Sequence, residues 1–549
     1  MNVTPAATEP QGRRTATIVM ACIGVFVAYL PITTVAISLP AIQQGLHAST
    51  AQLSWVQDAF VLPMAALILT AGVLGDVHGR KKVFQAGLAC CAVGAAISLS
   101  ARSVPVLWAG QAVAGLGAAA LLPTTLALIS HAVPDHRERG KFIGLWANSL
   151  LAALTVGPLA AGVILDHAGW RWIYVLPIPL ALLAIAAAAP LLTDSRAPHG
   201  RRLDWPGQAT AALAITAAVY GVIEGGAGSF TQPRVIAALA LGAAALAAFV
   251  ILERRSESPM LDLALFRSPA FTASALVALI TFLGLIGFFF VLSLYFGIVQ
   301  QLGTLQAGYR VVMVTVAAII AGAPTGRLMH RVSARVLITS GLLVITGALA
   351  SLTTIDATTS FGSEAWRLAL LGLGMGVVMT PMTATAVAAV PYRLAGMAAA
   401  GNNAFRQVGG ALGPAVLGAV LTGRALATLP GQVAGAGLDA ARQGRIVSAA
   451  HALLTGTATQ INLGTDTGRA YTAAGSAFVD GLRLCLIVAA VLTLLAAAVS
   501  AVLLRRPRQA LAPGAPTPDP SPRSHVASAP TTIPEPESSG APGQQGQRM

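Results

Sequence analysis

The segment Gly72-Val-Leu-Gly-Asp76-Val-His-Gly79-Arg80-Lys81-Lys82 is a short turn, rich in glycine and charge. Apolar sequence flanks it on both sides, near residues 51–74 and 83–101. Each flanking run can cross a bilayer, because about 20 apolar residues in a helix span the hydrocarbon core of ~30 Å. The segment therefore predicts two membrane-spanning helices joined by a tight basic loop.

The same alternation of apolar runs and short polar turns extends along most of the chain. Of the 549 residues, 55% are hydrophobic and only 10% are charged, with a mean hydropathy of +0.73. Soluble domains carry about 25% charged residues, so this composition is typical of a protein surrounded by lipid. We predict an all-α membrane protein with fourteen transmembrane helices, near residues 16–39, 51–74, 83–101, 104–130, 141–165, 170–192, 206–225, 234–252, 270–297, 306–325, 336–355, 366–390, 398–422 and 479–504.

Lysine and arginine concentrate in alternate loops of this arrangement. One side carries residues 13–14, 80–82, 137–141, 196–202, 254–267, 327–335, 393 and 505–508. The short loops opposite hold single charges such as Arg102 and Arg171. The positive-inside rule then predicts a multi-pass protein of the cell (plasma) membrane with cytoplasmic N- and C-termini. The formal net charge of +14 reflects this topology, and we expect no nucleic-acid partner because no basic stripe with interleaved aromatics occurs.

Helix 5 contains Gly157-Pro158-Leu-Ala-Ala-Gly162, and the aromatic segment Trp170-Arg-Trp-Ile-Tyr174 follows it. Glycine and proline thin and kink a membrane helix, so that it can rock against a partner helix. Taken alone, the segment is also compatible with a plain packing kink.

Two further segments complete a recognisable set. Trp55-Val-Gln-Asp58-Ala-Phe60-Val-Leu62 opens helix 2, and Asn403-Ala-Phe-Arg406-Gln407-Val-Gly409-Gly410-Ala-Leu-Gly413 lies in helix 13. With the segments above, they resemble the fourteen-helix drug:proton antiporter family of the major facilitator superfamily, the QacA/EmrB-type multidrug exporters. The turn is similar to the family's gating loop, with Gly72, Asp76, Gly79, Arg80 and Lys81 at the matching positions, and Gly157, Pro158 and Gly162 match its antiporter motif.

The resemblance covers roughly residues 15–505. It implies a major facilitator fold of two six-helix bundles plus two intervening helices, around a central cavity open to one side at a time. The expected parts are a cytoplasmic N-terminus (1–14), an N-terminal bundle (15–192), two extra helices with linkers (193–269), a C-terminal bundle (270–504) with an extracellular loop (424–478), and a disordered cytoplasmic tail (505–549). The alanine-rich stretch 438–454 would form a short surface helix in that loop.

Two departures concern proton coupling. Helix 1 reads Leu30-Pro31-Ile-Thr-Thr34, where the family carries an aspartate at the position of Pro31. Helix 4 carries Gln111 where the family has an arginine assigned to proton transfer. The ordinary coupling pair is absent, and we expect the two losses to be coupled, since an uncharged helix 4 no longer needs an acid opposite it.

Few acids remain that can couple transport to protons. A coupling carboxylate must gain a proton when buried and lose it when the cavity is wetted. Asp58 lies well inside helix 2 and Glu224 near the outer end of helix 7, while Arg406 is a cation inside helix 13. We take Asp58, Arg406 and Glu224 as proton-coupling candidates, with Arg406 able to pair with Asp58 or a substrate anion. The alternatives are a structural Asp58 at the outer mouth and interfacial solvation of Glu224.

The binding site is less readable. Helix positions give the substrate-cavity candidates Trp146, Asn148, Tyr295, Met379, Asn402 and Phe405, although ordinary helix packing explains each as well. All four cysteines lie in apolar runs without metal-ligand spacing, so we expect no metal and no cofactor. The expected partners are a small amphiphilic or cationic substrate, protons and the lipid bilayer, and we expect a monomer.

The leading interpretation is a secondary active transporter that exports drugs, antibiotics or other amphiphilic compounds by alternating access, in antiport with protons. One alternative is export of a lipid or biosynthetic product with different or no proton coupling. Another is a non-transporting membrane sensor. An enzyme is not expected, because the sequence has no P-loop, nucleophile elbow or metal-spaced histidine cluster.

Overall fold

A computed structural model describes residues 11–133, 136–195, 203–256, 258–390, 394–434, 439–455 and 463–504. These residues are predominantly helical, and no β-strand occurs among them. In chain order the helices are α1 Gln11–Leu46, α2 Thr50–His78, α3 Arg80–Leu99, α4 Val104–Ala132, α5 His136–His167, α6 Pro177–Leu191, α7 Trp205–Ala227, α8 Pro233–Arg255, α9 Pro269–Leu294, α10 Thr304–Leu328, α11 Ala334–Leu352, α12 Phe361–Ala388, α13 Ala395–Ala434, α14 Ala440–Thr455 and α15 Thr467–Leu503.

Fourteen helical segments of the described chain are long and apolar enough to cross a membrane, which confirms the predicted number. They correspond to α1–α13 and α15. A 3₁₀ segment, Trp170–Val175, lengthens α6, and a π-helical segment, Tyr295–Val299, lengthens α9. Several helices extend beyond the predicted runs, since polar helix-forming residues continue the helix where the apolar signal stops.

The spanning helices form two six-helix bundles with two helices between them. In the first bundle α1 packs against α4, α5 and α6, and α3 packs against α4 and α6. In the second, α9 packs against α13 and α15, while α12 packs against α10 and α11. The intervening helices α7 and α8 pack on each other, and α7 also contacts α2 and α13. The bundles meet mainly through two pairs of helices, α2 with α13 and α5 with α10.

The segment 424–478 differs from the expected loop, because most of its described part is helical. α13 continues to Ala434, α15 already begins at Thr467, and α14 lies between them. The alanine-rich composition explains this, since alanine has the highest helix propensity. α14 packs against α13, α15 and α2, and the Thr50 hydroxyl donates a hydrogen bond to the Leu454 carbonyl over 2.9 Å. The expected tail, 505–549, lies outside the described residues.

A capping box fixes the start of α2. The Ser49 hydroxyl accepts a hydrogen bond from the Gln52 amide (3.2 Å), and the Ser49 amide donates to Gln52 Oε1 (2.9 Å). Each bond gives an acceptor to a backbone N–H group that would otherwise have none at the start of the helix. This cap places Asp58 about 12 Å along the helix axis, well inside the first bundle.

Candidate functional site

The turn between α2 and α3 lies at one end of the molecule, which we call the basic side; the opposite end is the far side. The Arg80 guanidinium binds Asp76 Oδ1 over 2.9 Å, and its Nη1 donates to the Ala127 carbonyl of α4 over 3.4 Å. Gly79 has φ +107, a conformation that favours glycine, and any β-carbon there would collide with the Asp194 carboxylate. The turn therefore ties α2, α3, α4 and the end of α6 together within the first bundle.

The glycine–proline segment of α5 lies where α5 contacts both α1 and the second bundle. A β-carbon at Gly157 would stand 2.5 Å from the Thr33 hydroxyl oxygen of α1. One at Gly162 would stand 2.6 Å from Leu305 Cα of α10, and one at Gly308 of α10 2.7 Å from the Pro158 carbonyl oxygen. Gly162 and Gly308 therefore permit close backbone contact between α5 and α10 of the two bundles, whereas Gly157 permits close contact of α5 with the Thr33 side chain of α1.

Asp58 faces the other contact between the bundles. A β-carbon at Gly418 of α13 would lie 3.2 Å from Ser54 Oγ, and one at Gly410 3.5 Å from Val61 Cγ1. Ser54, Asp58 and Val61 share one face of α2, because they follow the i, i+4, i+7 spacing. Asp58 thus points at α13. Its side chain is fully buried, and neither carboxylate oxygen has a hydrogen-bond partner among the described residues.

Arg406 lies elsewhere on the same contact, and the structure does not pair it with Asp58. The antiparallel register of α2 and α13 puts Asp58 opposite the turn around Pro414, so Arg406 is about eight residues, or roughly 12 Å, away along the helix axis. The Arg406 guanidinium instead lies over the Phe282 ring, 4.7 Å from its centroid. Its side chain is 7% exposed and its Nε has no acceptor in the described structure.

The two positions that depart from the family pattern are neighbours. Pro31 and Gln111 line the same small cavity of about 20 Å³ inside the first bundle, between α1, α3, α4 and α6. Gln111 donates a hydrogen bond from Nε2 to the Val56 carbonyl of α2 over 3.3 Å. A neutral amide therefore satisfies this site without a carboxylate at position 31.

Glu224 is placed apart from both. It lies near the end of α7 on the far side and forms an ion pair with the exposed Arg234 of α8, at 3.5 Å. This position agrees with solvation at the interface, which was the alternative for Glu224.

The six cavity candidates do not gather around one space. Trp146 is buried in the first bundle and donates to the Thr125 hydroxyl over 3.0 Å, whereas Asn148 is exposed. Asn402 donates to the Ser274 carbonyl of α9, and Phe405 stacks edge-to-face on Phe266 at 5.8 Å. Met379 is half-buried and packs on the core, and Tyr295 lies in a polar network described below.

Known proteins are similar to this chain in sequence and in fold. The family model for the Major Facilitator Superfamily matches residues 21–414. The chain belongs to the major facilitator superfamily. The protein is a membrane transporter and not an enzyme.

Several curated relatives of this facilitator are resistance proteins. It is 31% identical over 408 residues to the tetracenomycin C resistance and export protein of Streptomyces glaucescens, covering 74% of this chain and 76% of that protein. It is 32% identical to the multidrug resistance protein Stp of Mycobacterium tuberculosis, over 73% of this chain and 74% of Stp. The multidrug efflux pump LfrA of Mycolicibacterium smegmatis is 29% identical over 92% of this chain and 99% of the pump. A solved bacterial homologue of the human lysosomal transporter Spinster has the same fold, with a TM-score of 0.60 at 14% identity over 91% of this chain and all of that one.

One polar network of this transporter is not predicted by the sequence motifs. Arg310 of α10 forms an ion pair with Glu364 of α12; the Glu364 side chain is buried and the Arg310 side chain is partly buried. Gln300 donates to Glu364 Oε1 over 2.6 Å, and the Tyr295 hydroxyl donates to the Asp356 carbonyl over 2.6 Å. The sequence does contain a feature from which this ion pair could be predicted. Arg310 and Glu364 each lie within two turns of the far-side start of an apolar helix.

A cavity of about 940 Å³ opens on the far side of this facilitator. Pro40 and Gln43 of α1 line it from the first bundle, while Gly297, Asp480 and Arg483 line it from the second. The cavity therefore lies between the bundles, at the end opposite the basic loops.

Proposed function

We propose that this transporter exports amphiphilic drug-like molecules across the plasma membrane in exchange for protons. The named substrates and resistance roles of its relatives support export. The basic loops support an orientation with both termini in the cytoplasm, so that the far side faces outward. A single chain contains both bundles, which supports a monomer. Its parts are the N-terminal bundle (15–192), the two intervening helices with their linkers (193–269) and the C-terminal bundle (270–504).

The observation that carries proton coupling is the buried Asp58 at the α2–α13 contact. An ionised carboxylate deep in a membrane protein costs about 2.5 to 3.5 kcal/mol on insertion scales, and no described group compensates it here. The closed contact therefore accommodates the neutral, protonated acid. When α2 and α13 separate on the far side, water reaches Asp58 and the carboxylate ionises.

Because only the protonated Asp58 fits the closed α2–α13 contact, a high proton concentration outside favours closing of that contact. In the outward-open state Asp58 takes up a proton after substrate has left through the far-side cavity. The neutral side chain then permits α2 and α13 to close, and the basic side opens for the next substrate. In that state water enters from the basic side and reaches Asp58, which releases its proton towards the cytoplasm and completes the cycle.

The test measures dye accumulation in everted membrane vesicles with an imposed pH gradient. Asp58→Asn should bind dye normally but lose gradient-driven accumulation, because the amide is permanently neutral. Glu224→Gln is the matched control, since it neutralises an acid on the same side and should leave accumulation intact. Accumulation in Asp58→Asn that still follows the pH gradient would remove Asp58 from the mechanism.

The neutral pair Pro31 and Gln111 favours one alternative, export without proton coupling. Dye export that is indifferent to a protonophore in the wild type would establish it. No movement of any dye would leave the non-transporting sensor as the remaining function.

A further inference from the structure

Arg406 is a buried cation without an anion. Its residue exposure is 7%, its Nε lacks an acceptor, and no described carboxylate forms an ion pair with it. The aromatic face of Phe282, 4.7 Å from the guanidinium carbon, compensates the charge only in part. Arginine in a membrane interior is normally paired or hydrated, and such residues mark substrate paths.

Three acids, Asp58, Glu364 and Glu224, do not compensate the charge of Arg406. Asp58 lies about 12 Å away along the α2–α13 register. Glu364 is held by Arg310, and Glu224 by Arg234. The compensating anion for Arg406 is therefore not supplied by these acids.

The surroundings of Arg406 come from both bundles. Phe282 belongs to α9 of the second bundle. Tyr29 of α1, in the first bundle, accepts a hydrogen bond of 2.9 Å through its hydroxyl from Gln407, the residue that follows Arg406 in α13. Asn403, one turn before Arg406 on the same helix face, has an unpartnered carbonyl oxygen. Because an amide can be turned by half a rotation, Asn403 can also present a donor. Arg406 thus lies where rocking of the bundles would open and close a site.

We propose that Arg406 binds an acidic group of the substrate, such as a carboxylate or phenolate, and that Phe282 and Tyr29 contact the aromatic body to which this group is attached. The guanidinium suits this role, because its planar fork binds carboxylates with two hydrogen bonds and stacks on aromatic rings. The inference rests on the proposed export function and narrows its substrates to acidic aromatic amphiphiles. It selects the amphiphilic and not the cationic member of the two substrate classes expected from the sequence.

The test compares two xanthene dyes of similar size and opposite charge, anionic fluorescein and cationic rhodamine 6G. Binding to the purified full-length protein in lipid nanodiscs is measured by fluorescence anisotropy, at a pH where fluorescein is ionised. Arg406→Gln should weaken fluorescein binding at least about tenfold, as expected for loss of a charge-assisted hydrogen bond, and should leave rhodamine binding unchanged. Arg406→Lys keeps the positive charge but lacks the planar fork of the guanidinium. Its affinity for fluorescein should lie between those of the wild type and Arg406→Gln.

Arg234→Gln is the control, because it removes the same charge from an exposed site on the far side. If Arg406→Gln does not fold, as judged by size-exclusion profile, Arg406→Lys and the wild-type preference between the dyes decide the question. Fluorescein binding unchanged in both variants, equal loss of both dyes, or wild-type binding of rhodamine alone overturns the inference. Rhodamine export in vesicles would still support the proposed function in those cases, whereas its absence together with that of fluorescein export would count against the function itself.

Discussion

The Arg310–Glu364 pair gives the sharpest prediction for stability. Glu364→Ala removes the carboxylate that Arg310 contacts and leaves the guanidinium buried, with 14% of its side chain exposed. It also leaves the Gln300 amide without the acceptor that it reaches over 2.6 Å. The rings of Phe296 and Phe361, each 5.5 Å from the guanidinium carbon, remain as weak compensation.

The size of the effect follows from the burial of the pair. Breaking a buried ion pair by removing one partner costs about 3 to 5 kcal/mol, because an uncompensated charge remains in the interior. For a domain of 150 to 250 residues, 1 kcal/mol shifts the melting temperature by roughly 2 to 4 °C. Glu364→Ala should therefore lower the melting temperature of the second bundle by at least about 6 °C.

The assay is thermal unfolding of the detergent-purified protein, followed by tryptophan fluorescence and by loss of the monodisperse peak. The double variant Arg310→Met with Glu364→Leu fills the same space without charge and should regain at least half of the lost stability. A single variant within about 1 °C of the wild type would refute the reasoning. So would a double variant as unstable as Glu364→Ala.

Three further outcomes follow from the structure. Gly162→Leu should abolish dye export at normal expression, because the side chain separates α5 from α10, whereas Gly169→Leu, which has no neighbour within 4 Å, should export normally. Ser49→Ala removes the cap of α2 and should lower stability in chemical denaturation by about 1 kcal/mol, and an unchanged midpoint would contradict this. Hydrogen bonds from Thr358 lower the pKa of the loop residue Asp356, so its ionised form contributes stability at neutral pH. Asp356→Asn should be less stable at pH 7, and the difference should shrink as the pH falls below about 4 and the wild-type carboxylate protonates; a difference independent of pH would refute it.

The helix count was readable from sequence because each span is a local property. About 20 apolar residues and a basic loop suffice to define a span, whatever the remainder of the chain does. The close-packed glycines were also readable as a motif, since Gly157 and Gly162 stand next to Pro158. The partners that make them matter, Leu305 and Gly308, lie some 150 residues away in another bundle.

The site was less predictable because its contacts depend on register between helices. Asp58 and Arg406 are the obvious intramembrane charges of α2 and α13, and a pair between them was a reasonable hypothesis. Only the contact of Gly410 with Val61 and of Gly418 with Ser54 shows that the two charges differ in depth. α13 ends later and α15 begins earlier than the apolar runs predict, because alanine-rich polar sequence extends a helix without an apolar signal.

The hydrogen bond from Gln407 to Tyr29 joins the two bundles across their interface. A typical bond of this kind contributes a net free energy of about 1 kcal/mol, which alters the ratio of two conformational states only about fivefold. The glycine contacts of α5 and α10 add no interlocked side chains that would have to change rotamer during rocking. This hydrogen bond therefore opposes separation of the bundles only weakly, and a bound molecule that prefers the separated state by about 1 kcal/mol offsets it.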